Sequence, residues 1–436
     1  MRTLAEWLTL QESVHPQSID MGLERVAGVA RTLGLSAPEF AVITVAGTNG
    51  KGSIAAHLEA LLRARGAHTG LFMSPHLVRY NERIRLDAAD AEDAALVAAF
   101  ERIEAARGAT TLTFFEYSTL AALLIFAARA VQVAVLEVGL GGRLDATNLI
   151  DAHVAVLASV GLDHRDWLGD TLELIGAEKA GIVRAQRPAV LGTPHMPASV
   201  FAAIRARGAQ AVVAERDFSW QQGATGWDYR GLKVTLSGLP PSALAGDIQY
   251  RNAATALAAL EALEAVPAAP VARLKRVLAP LTAVNAAQGL LSVHLPGRFQ
   301  VVPGEVEWIL DIAHNEPAAQ VLAAQLRARA LPPGAHRAAR TIAVIGVLAD
   351  KDAAAIAAAL QGVIDHWVVC ALPGARGSSA AALAARLGRP GSTVTLAASV
   401  GEGCERARAQ ARPGDRIVVC GSLHTVGPAL QWLRIY

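Results

Sequence analysis

The stretch that most constrains this chain runs from residue 42 to residue 53 and reads VITVAGTNGKGS. Its β-branched run predicts a strand, its glycines permit a tight turn, and residues 54–65 are typical of a helix. A glycine-rich turn that ends at a helix N-terminus presents backbone N–H groups and the positive end of the helix dipole, to which Lys51 adds an ammonium group. The stretch therefore predicts a loop that binds a polyphosphate.

This loop departs from the common phosphate-loop pattern G-x-x-x-x-G-K-[ST]. Val45 stands where the first glycine belongs, and Gly52 displaces the hydroxyl residue to Ser53. A purely structural glycine turn is the alternative. The order of strand, Gly-x-x-Gly-Lys, serine and helix favours the phosphate-binding interpretation.

Length, charge and cysteine content narrow the class of protein. A chain of 436 residues exceeds one ordinary core and predicts two or three domains. The formal net charge of +2 argues against a broad basic surface for nucleic acid. Cys370, Cys404 and Cys420 are odd in number and widely separated, which argues against a disulfide framework or a zinc knuckle. Without an export signal or an apolar run of about 18 residues, we expect a soluble cytoplasmic protein with no membrane partner. We also expect a monomer with no nucleic-acid partner.

Strands and helices alternate through the first part of the chain. Residues 69–73 predict a second strand, and residues 91–107 and 116–130 favour helices. Apolar, β-branched runs at residues 131–138 and 154–160 are typical of strands buried on both faces. This alternation predicts a doubly wound, mostly parallel sheet whose ligands bind at the carboxyl ends of the strands.

The alternation restarts late in the chain and predicts a second, smaller α/β domain of Rossmann-like type. It has no phosphate loop of its own. We expect a phosphate-loop domain at residues 1–285, a linker at 286–296 and the second domain at 297–436. Before the linker, residues 252–264 predict an amphipathic helix with Asn252 as its N-cap. Strands of the second domain are predicted at residues 300–302, 308–311, 341–345, 367–370 and 416–420.

Polar side chains follow three strands of the predicted first sheet. Ser74 follows the second strand, Glu137 ends the third and His164 follows the fourth. Because Mg²⁺ prefers oxygen ligands, Glu137 favours a Mg²⁺ site beside the phosphate loop, whereas a histidine is an unusual ligand for this ion. The alternatives are that Glu137 pairs with Arg143 and that His164 is a core histidine.

Lys179 lies in a predicted helix, where solvation or a pair with Glu178 is the ordinary explanation. A buried neutral amine near a metal would instead be able to take up CO₂ as a carbamate. The loop at residues 140–148, LGGRLDATN, combines glycine flexibility with a cation and an acid, and a salt-bridged surface loop is its ordinary explanation.

The second domain also carries polar candidates at strand ends. Arg298 offers a planar fork to phosphate, and Asp311 and His314 lie at the carboxyl edge of a strand. An ion pair between elements is the alternative for each of them.

Taken together, these segments resemble the folylpolyglutamate synthase/dihydrofolate synthase family of the Mur ligase superfamily, in order and in spacing. The resemblance covers almost the whole chain. The segments that carry it are GTNGKGS, SPHLVRYNERIR, LTFFEYSTLAAL, LEVGLGGRLDATN, LDHRDWLG, EKAGIVR, GRF, DIAHN and CGSLHTV.

The resemblance implies an ATP-dependent acid–amino-acid ligase. ATP would phosphorylate the carboxylate of dihydropteroate or of a reduced folate, and the amine of L-glutamate would displace phosphate to form an amide. Phosphate is a competent leaving group, whereas an unmodified carboxylate would have to expel oxide. The crowded negative charge implies Mg²⁺, two ions by family pattern, with a monovalent cation as a further possibility.

By matching position, the resemblance also implies site residues. ATP contacts are Thr48, Asn49, Gly50, Lys51, Gly52, Ser53, Asn252, Arg298 and Asp311. Metal ligands are Ser53, Ser74, Glu137 and His164. Lys179 matches the carbamylated lysine of the family, and Lys51, Lys179 and His314 are the implied catalytic residues, with Ser422 near glutamate or the nucleotide.

The pterin substrate would bind segments that match the bifunctional type of the family, which favours both activities. Phe114 or Phe115 is the candidate to stack on the pterin ring, with a core position as the alternative. Two rivals remain: a peptidoglycan-type ligase, which should lack these segments, and a regulatory nucleotide switch without ligation. The implied pterin residues are Asp20, Met21, Gly22, Leu23, Thr113, Phe114, Phe115, Glu116, Leu144, Asp145 and Ala146.

Overall fold

The computed structural model describes residues 2–17, 19–329, 331, 338–388 and 393–436. The chain divides into two compact units. The first unit is Met1–Ala243 with Gln249–His294, and the second is Leu244–Ile248 with Leu295–Tyr436.

The first unit is α/β. Its strands are β1 (Ala41–Ala46), β2 (Thr69–Phe72), β3 (Ile84–Leu86), β4 (Ala89–Asp90), β5 (Val133–Glu137), β6 (Val154–Leu157), β7 (Pro188–Leu191), β8 (Gln210–Val213), β9 (Ser219–Gln222), β10 (Trp227–Arg230) and β11 (Thr235–Leu239). Its helices are α1 (Leu4–Val14), α2 (Glu24–Thr32), α3 (Lys51–Ala64), α4 (Asp93–Arg107), α5 (Phe114–Ala128), α6 (Arg165–Leu168), α7 (Leu172–Lys179), α8 (Ala198–Ala206), α9 (Ile248–Glu264), α10 (Ala269–Lys275) and α11 (Ala283–Ser292).

The main sheet of the first unit has the strand order β4-β3-β2-β5-β1-β6-β7-β8. Its strands pair in parallel from β2 to β8, and β3 and β4 add an antiparallel edge. Every residue of β1, β5 and β6 is buried, as expected for strands covered by helices on both faces. The doubly wound, mostly parallel sheet is thus confirmed, and the carboxyl ends of β2, β5, β1 and β6 lie side by side.

Helix α3 connects this sheet edge to the core. All of its residues from Gly52 to Leu62 are buried, because α3 packs between strands β1, β2 and β5 of the sheet and helix α11. At the crossing, a Cβ atom on Gly289 of α11 would come 2.8 Å from Leu61 Cδ2, so only a glycine allows this approach. Leu290 of α11 is fully buried beside it.

The expected linker at residues 286–296 differs from the observed structure, because it is helical as far as Ser292. Helix α11 starts after Thr282, whose side chain and that of Asn285 form a capping box. Its apolar face is buried, and Gly289 is retained for close packing rather than for flexibility. The boundary between the units falls between His294 and Leu295.

The expected N-cap role of Asn252 is wrong. Helix α9 begins earlier, at Ile248, so Asn252 lies inside it and is 2% exposed. Its side-chain amide donates to Gln249 Oε1 at 3.0 Å. Asparagine is common at N-caps, but here its side chain is buried inside the unit.

A small antiparallel sheet, β11-β10-β9, packs against α9, and one acid of that helix binds it at several points. Glu261 accepts hydrogen bonds from the Tyr229 hydroxyl at 2.7 Å and from the backbone N–H groups of Lys233 and Val234. This sheet forms no part of the site described below.

The second unit is also α/β, as expected. Its sheet order is β12-β13-β17-β14-β15-β16, with β12 antiparallel and the other strands parallel. Strand β16 and helix α16 extend the expected pattern. The strands are β12 (Gln300–Val302), β13 (Glu307–Leu310), β14 (Thr341–Ile345), β15 (His366–Cys370), β16 (Thr393–Ala397) and β17 (Arg416–Cys420), and the helices are α12 (Glu316–Ala328), α13 (Ala353–Ala359), α14 (Ala380–Arg386), α15 (Val400–Gln410) and α16 (Leu423–Leu433).

Within the described residues, no single helix is long and apolar enough to cross a bilayer. Helices α9 and α10 meet the length and hydropathy of a span only as a pair, which is bent by 110°.

Candidate active site

The predicted phosphate loop joins β1 to α3 at the sheet edge. Gly50 precedes the helix in the left-handed region, with φ of 89°, a conformation that glycine adopts without strain. By helical geometry the first N–H groups of α3 lack carbonyl partners within the helix, so they face whatever occupies the loop. The sequence-predicted residues Thr48 to Ser53 are therefore brought together at one helix N-terminus.

The segment after β6 braces this loop. The Thr48 N–H donates to the Ser159 carbonyl at 2.8 Å, and the Asn49 N–H donates to Ser159 Oγ at 3.2 Å. The Thr48 hydroxyl donates to the Gly161 carbonyl at 3.1 Å and accepts from the Gly161 N–H at 2.9 Å. Sequence reasoning missed Ser159, although its position after a buried strand next to β1 was the available signal.

Asn252 lies against the same loop. A Cβ atom on Gly50 would come 3.2 Å from Asn252 Oδ1. The residue is placed by α9, whose face from Asn252 to Leu263 is almost entirely buried. The structure thus brings Asn252 to the phosphate loop, although not as the cap of its helix.

Two lysine side chains meet at one backbone oxygen of the loop. Lys51 Nζ donates to the Gly47 carbonyl at 2.9 Å and to the Thr48 carbonyl at 3.3 Å. Lys179 Nζ, from the last residue of α7, donates to the same Gly47 carbonyl at 3.1 Å. Lys179 is only 5% exposed.

This arrangement changes the acidity of Lys179. Burial, helped by the neighbouring charge of Lys51, lowers its pKa from the ordinary 10.5 to about 7, against smaller opposing effects of Asp163 and Asp145. A considerable fraction of Lys179 is then a neutral, nucleophilic amine near neutral pH. The pair with Glu178 that the sequence offered as an alternative does not form, because Glu178 binds Arg143 at 2.8 Å.

The loop at residues 140–148 holds the end of α7 in place. The Arg143 N–H donates to the Glu178 carbonyl at 2.9 Å, and Asn148 Nδ2 donates to the Arg143 and Gly181 carbonyls. A Cβ on Gly142 would come 2.8 Å from the Lys179 carbonyl. The loop is therefore packed support for Lys179, and Arg143 does not pair with Glu137.

Of the predicted metal ligands, the structure joins Ser74 and Glu137. The Ser74 N–H donates to Glu137 Oε2 at 3.2 Å, and Glu137 is 5% exposed at the end of β5. Its neighbour in the sheet is Val45, two residues before the loop. His164 lies in the left-handed region with φ of 52° and its imidazole is 4.0 Å from Asp163 Oδ2.

The donor set at this edge suits Mg²⁺. Among the described residues, no group of three or more His, Cys, Asp or Glu side chains is arranged to hold a metal ion. Mg²⁺ characteristically takes one or two carboxylates and completes its shell with waters and substrate phosphates. A buried carboxylate beside a phosphate loop, with Ser53 in the first turn of α3, fits this coordination preference of Mg²⁺.

The predicted pterin segments converge in the first unit. Asp20 accepts from Arg25 at 2.6 Å, and the same guanidinium binds Glu116 at 3.0 Å, which ties the first segment to α5. Helix α5 starts at Phe114 because Thr113 and Glu116 form a capping box. Leu23, Phe114 and Phe115 each pack against the hydrophobic core of this unit.

The third pterin segment meets the other two through Phe115 and Met21. A Cβ on Gly139 would come 2.7 Å from Phe115 Cζ, and one on Gly141 would come 3.6 Å from Met21 Cε and 3.0 Å from Leu168 Cδ2. The closeness of Leu168 was not anticipated. No atom lies within 4 Å of a Cβ built on Gly22, so space is open there.

Asp145 organises this third segment from its buried position. Its carboxylate accepts from the N–H groups of Gly139 at 3.0 Å, Leu140 at 2.9 Å and Thr147 at 3.0 Å. Burial raises its pKa, and these hydrogen bonds oppose that rise. Asp145 thereby fixes the backbone of half-buried Leu144 and buried Ala146.

In the second unit, the predicted residues lie at the carboxyl ends of β13 and β17. Asp311 accepts from the N–H groups of Phe299 and Ala313, both at 2.8 Å, which sets Arg298 beside it. Burial raises the pKa of Asp311, and the Arg298 charge opposes the rise. The Gly421 N–H donates to the Ala313 carbonyl at 3.0 Å and joins the two strand ends.

His314 and Ser422 complete this second edge. His314 Nδ1 lies 3.0 Å from the Ile312 carbonyl. Because a carbonyl only accepts, Nδ1 carries a hydrogen in this contact. Ser422 caps α16, where its hydroxyl accepts from the His424 N–H at 3.1 Å.

The chain matches known proteins over nearly its full length. Residues 45–260 match the Mur ligase middle domain, and residues 297–423 match the Mur ligase glutamate ligase domain. The dihydrofolate synthase/folylpolyglutamate synthase of Escherichia coli strain K12 is 43% identical over 431 residues, which cover 98% of this chain and 95% of that protein.

Solved structures agree with these sequence matches. Escherichia coli FolC in complex with DHPP and ADP aligns with a TM-score of 0.90 at 40% identity, over 100% of this chain and 98% of that one. A bifunctional folylpolyglutamate synthase/dihydrofolate synthase with Mn, AMPPNP and L-glutamate bound aligns with a TM-score of 0.88 at 40% identity, over 100% and 98% of the two chains. In sequence and in fold alike, the chain belongs to the dihydrofolate synthase/folylpolyglutamate synthase family of Mur ligases.

Proposed function

We propose that the protein is an ATP-dependent ligase that joins L-glutamate to dihydropteroate, forming dihydrofolate, and to reduced folates, extending their glutamate chains. The observation that carries this proposal is the phosphate loop with Lys51 and buried Lys179 on the Gly47 carbonyl. Family membership and the converging pterin segments support the choice of substrates. A peptidoglycan-type ligase has no use for those segments.

The reaction has two transfers. A carboxylate oxygen of the pterin substrate attacks the γ-phosphorus of ATP, the bond to ADP breaks, and an acyl phosphate forms. The amine nitrogen of glutamate then attacks the acyl carbon, the bond from that carbon to the phosphate oxygen breaks, and inorganic phosphate leaves. Lys51 and the N-terminus of α3 stabilise the charge on the transferred phosphoryl group.

Glutamate carries an ammonium group that must lose a proton before it attacks. We propose His314 Nε2 as the acceptor, because Nδ1 already carries the other hydrogen towards Ile312. Arg298 and Asp311 are proposed nucleotide contacts, with Ser422 nearby on the neighbouring strand end. Residues 1–285 and 297–436 are the proposed nucleotide and glutamate-ligase domains.

Mg²⁺ is the proposed cofactor, held through Glu137 with Ser74, His164 and the loop residue Ser53 as further donors. When bound, the ion neutralises phosphate charge and orients the γ-phosphoryl group. Two ions are proposed by family pattern. Nothing observed identifies a site for a monovalent cation, and that idea stays a prediction.

Lys179 is the proposed carbamate residue. Its neutral amine attacks CO₂, a nitrogen–carbon bond forms, one proton leaves, and an anionic carbamate results. The low pKa that burial imposes makes this possible near neutral pH. After incubation with ¹³C-bicarbonate, the ¹³C NMR spectrum of the wild type should show a carbamate resonance that is absent from Lys179→Met. Equal spectra of the two proteins would refute the carbamate at Lys179.

The function is tested by supplying ATP, Mg²⁺ and L-glutamate with each pterin acceptor separately. We expect glutamate-dependent phosphate release with dihydropteroate and with tetrahydrofolate. Activity with only one acceptor would remove the other half of the proposal. ATP hydrolysis that ignores both acceptor and glutamate would instead favour a nucleotide switch.

A further inference from the structure

Arg83 is a buried cation to which no role has been given so far. It ends the short helical turn Tyr80–Arg83, between β2 and β3, in the segment SPHLVRYNERIR. The residue is 8% exposed. Such deep burial of a guanidinium requires compensation by hydrogen bonds or by an anion.

Aromatic rings and a histidine fix the position of the guanidinium. Arg83 Nε donates to His76 Nδ1 at 2.8 Å. The guanidinium carbon lies 5.6 Å from the ring centroid of Tyr80 and 5.2 Å from that of Phe114, within the range of cation–π attraction. The Arg83 carbonyl accepts from the Met73 N–H at 2.9 Å, so the backbone is held as well.

Arg83 forms no contact ion pair in the described part of the chain, although the charges of Glu82 and Glu137 favour its charged form. No described carboxylate oxygen lies within 4.0 Å of its nitrogens, and its two Nη groups donate to no described acceptor. Arg85, two residues further and equally buried, differs because it pairs with Glu59 at 3.1 Å. The contrast indicates that the Nη groups of Arg83 await an anion from outside the chain.

The residues around Arg83 indicate which anion would bind its Nη groups. On one side lies Phe114, from the pterin segments. On the other side Met73 leads into Ser74, whose N–H binds Glu137 at 3.2 Å, and Glu137 lies beside β1 just before the phosphate loop. A pterin substrate bound against Phe114 has to extend its carboxylate along this path to reach the γ-phosphate.

We propose that Arg83 binds the reacting carboxylate of the pterin substrate and holds it for phosphorylation. This inference rests on the proposed ligase function. The planar guanidinium matches a carboxylate with two parallel hydrogen bonds. After one carboxylate oxygen has bonded to phosphorus and ADP has left, the other becomes the acyl carbonyl oxygen and keeps its bond to Arg83.

The same contact serves the second transfer. When the glutamate nitrogen bonds to the acyl carbon, negative charge develops on that carbonyl oxygen, where Arg83 already donates. The electron pair returns to the carbon–oxygen bond, phosphate leaves with the electron pair of the bond that breaks, and the second amine proton passes to the departing phosphate. Arg83 is thus a substrate-binding residue of both steps.

The test compares dihydropteroate with its carboxamide analogue, which has the same shape and no charge. Calorimetric binding is measured for the wild type, Arg83→Gln, Arg83→Lys and the control Arg79→Gln, which removes an exposed arginine of the same turn. We expect wild type and Arg79→Gln to bind the acid at least about tenfold more tightly than the amide, which is the discrimination of one charge-assisted pair. Arg83→Gln should bind both alike, and Arg83→Lys should lie between.

Turnover gives a second readout. In Arg83→Gln the KM for dihydropteroate should rise at least about tenfold, whereas the KM for ATP should stay near the wild-type value. An Arg83→Gln protein that folds and keeps the acid-over-amide preference would overturn the proposal. If that variant fails to fold by circular dichroism, Arg83→Lys decides, and an unchanged preference there overturns it too. A wild type that binds neither compound and releases no phosphate would refute the ligase function as well.

Discussion

Lys51 shows how a single side chain shapes the phosphate loop. Its ammonium group spans the turn by binding the Gly47 and Thr48 carbonyls, so in this state it supports the loop that is to receive phosphate. A lysine that bonds to backbone oxygens is positioned before its ligand arrives, which reduces the cost of ordering on binding.

We therefore expect Lys51→Ala to lower turnover by at least about 100-fold through lost charge stabilisation, with the circular dichroism spectrum unchanged. Steady-state phosphate release measures the effect. Lys275→Ala, at an exposed position on α10, is the control and should behave as wild type. Normal turnover by Lys51→Ala would contradict the role of Lys51.

Burial of Lys179 makes the stability of the folded chain depend on pH, because it lowers the pKa of this residue. Its pKa is about 7 in the folded chain and near 10.5 when unfolded, so the unfolded state binds more protons between those values. The free energy of unfolding contributed by this residue therefore rises as pH increases from about 7 towards 10.5.

Urea unfolding in CO₂-free buffer at several pH values measures this contribution. Subtracting the free energy of unfolding of Lys179→Met from that of the wild type cancels the contributions of the other titrating groups. The difference, wild type minus variant, should increase with pH across this window. A difference that stays flat would show that Lys179 keeps an ordinary pKa.

Gly50 carries both a backbone and a packing constraint. With φ of 89° and Asn252 Oδ1 only 3.2 Å from a built Cβ, Gly50→Ala should cost more stability than the φ penalty alone, which is about 1–2 kcal/mol. Gly208→Ala is the matched control, because its φ is 56° and no atom lies within 4 Å. Urea unfolding and ATP titration should show the larger loss, and weaker ATP binding, only for Gly50→Ala.

Among the elements, α11 depends on one close approach to α3. A Cβ on Gly289 would come 2.8 Å from Leu61 Cδ2 and 2.9 Å from Leu61 Cα, and the latter atom cannot rotate away. Gly289→Ala should destabilise the unit by about 1–3 kcal/mol, the usual cost of overpacking. Leu291→Ala, at a site 62% exposed on the same helix, should change the free energy of unfolding by less than about 0.5 kcal/mol. Equal effects of the two would contradict the packing argument.

Strands were predictable from sequence where their apolar run is continuous, because burial on both faces leaves an unmistakable composition. The observed β14 and β17 coincide with the expected residues 341–345 and 416–420. Helix ends were less predictable. Asn252 has the chemistry of a cap yet lies inside α9, and Gly289 looks like a break yet permits packing.

The candidate site was predictable in part, and mainly through motifs. The phosphate loop follows from glycine, lysine and strand–helix order alone. The burial of Lys179 does not follow, because it depends on the loop at residues 140–148 packing over the end of α7. The pairing of Arg143 with Glu178, and not with Glu137, likewise depends on tertiary contacts that no spacing reveals.

For the whole molecule, two α/β units were expected and two are observed. The boundary at His294 and Leu295 lies inside the segment expected to link them. The short segment Leu244–Ile248 interrupts the first unit in sequence but belongs to the second unit, which was not expected. A five-residue crossing carries no periodicity for a sequence argument to detect.

We propose that the protein acts as a monomer, and its mass in solution tests this. Size-exclusion chromatography with light scattering should give 45.4 kDa, independent of protein concentration. A doubled mass that persists on dilution would contradict the expectation.

The Gly47 carbonyl, shared by Lys51 and Lys179, holds the two side-chain nitrogens close together. Converting the Lys179 ammonium into a carbamate exchanges a repelling neighbour of Lys51 for an attracting one and shifts the local charge by two. In the proposed carbamate state, the supply of dissolved carbon dioxide would set the fraction of the enzyme that carries this negative charge beside the loop.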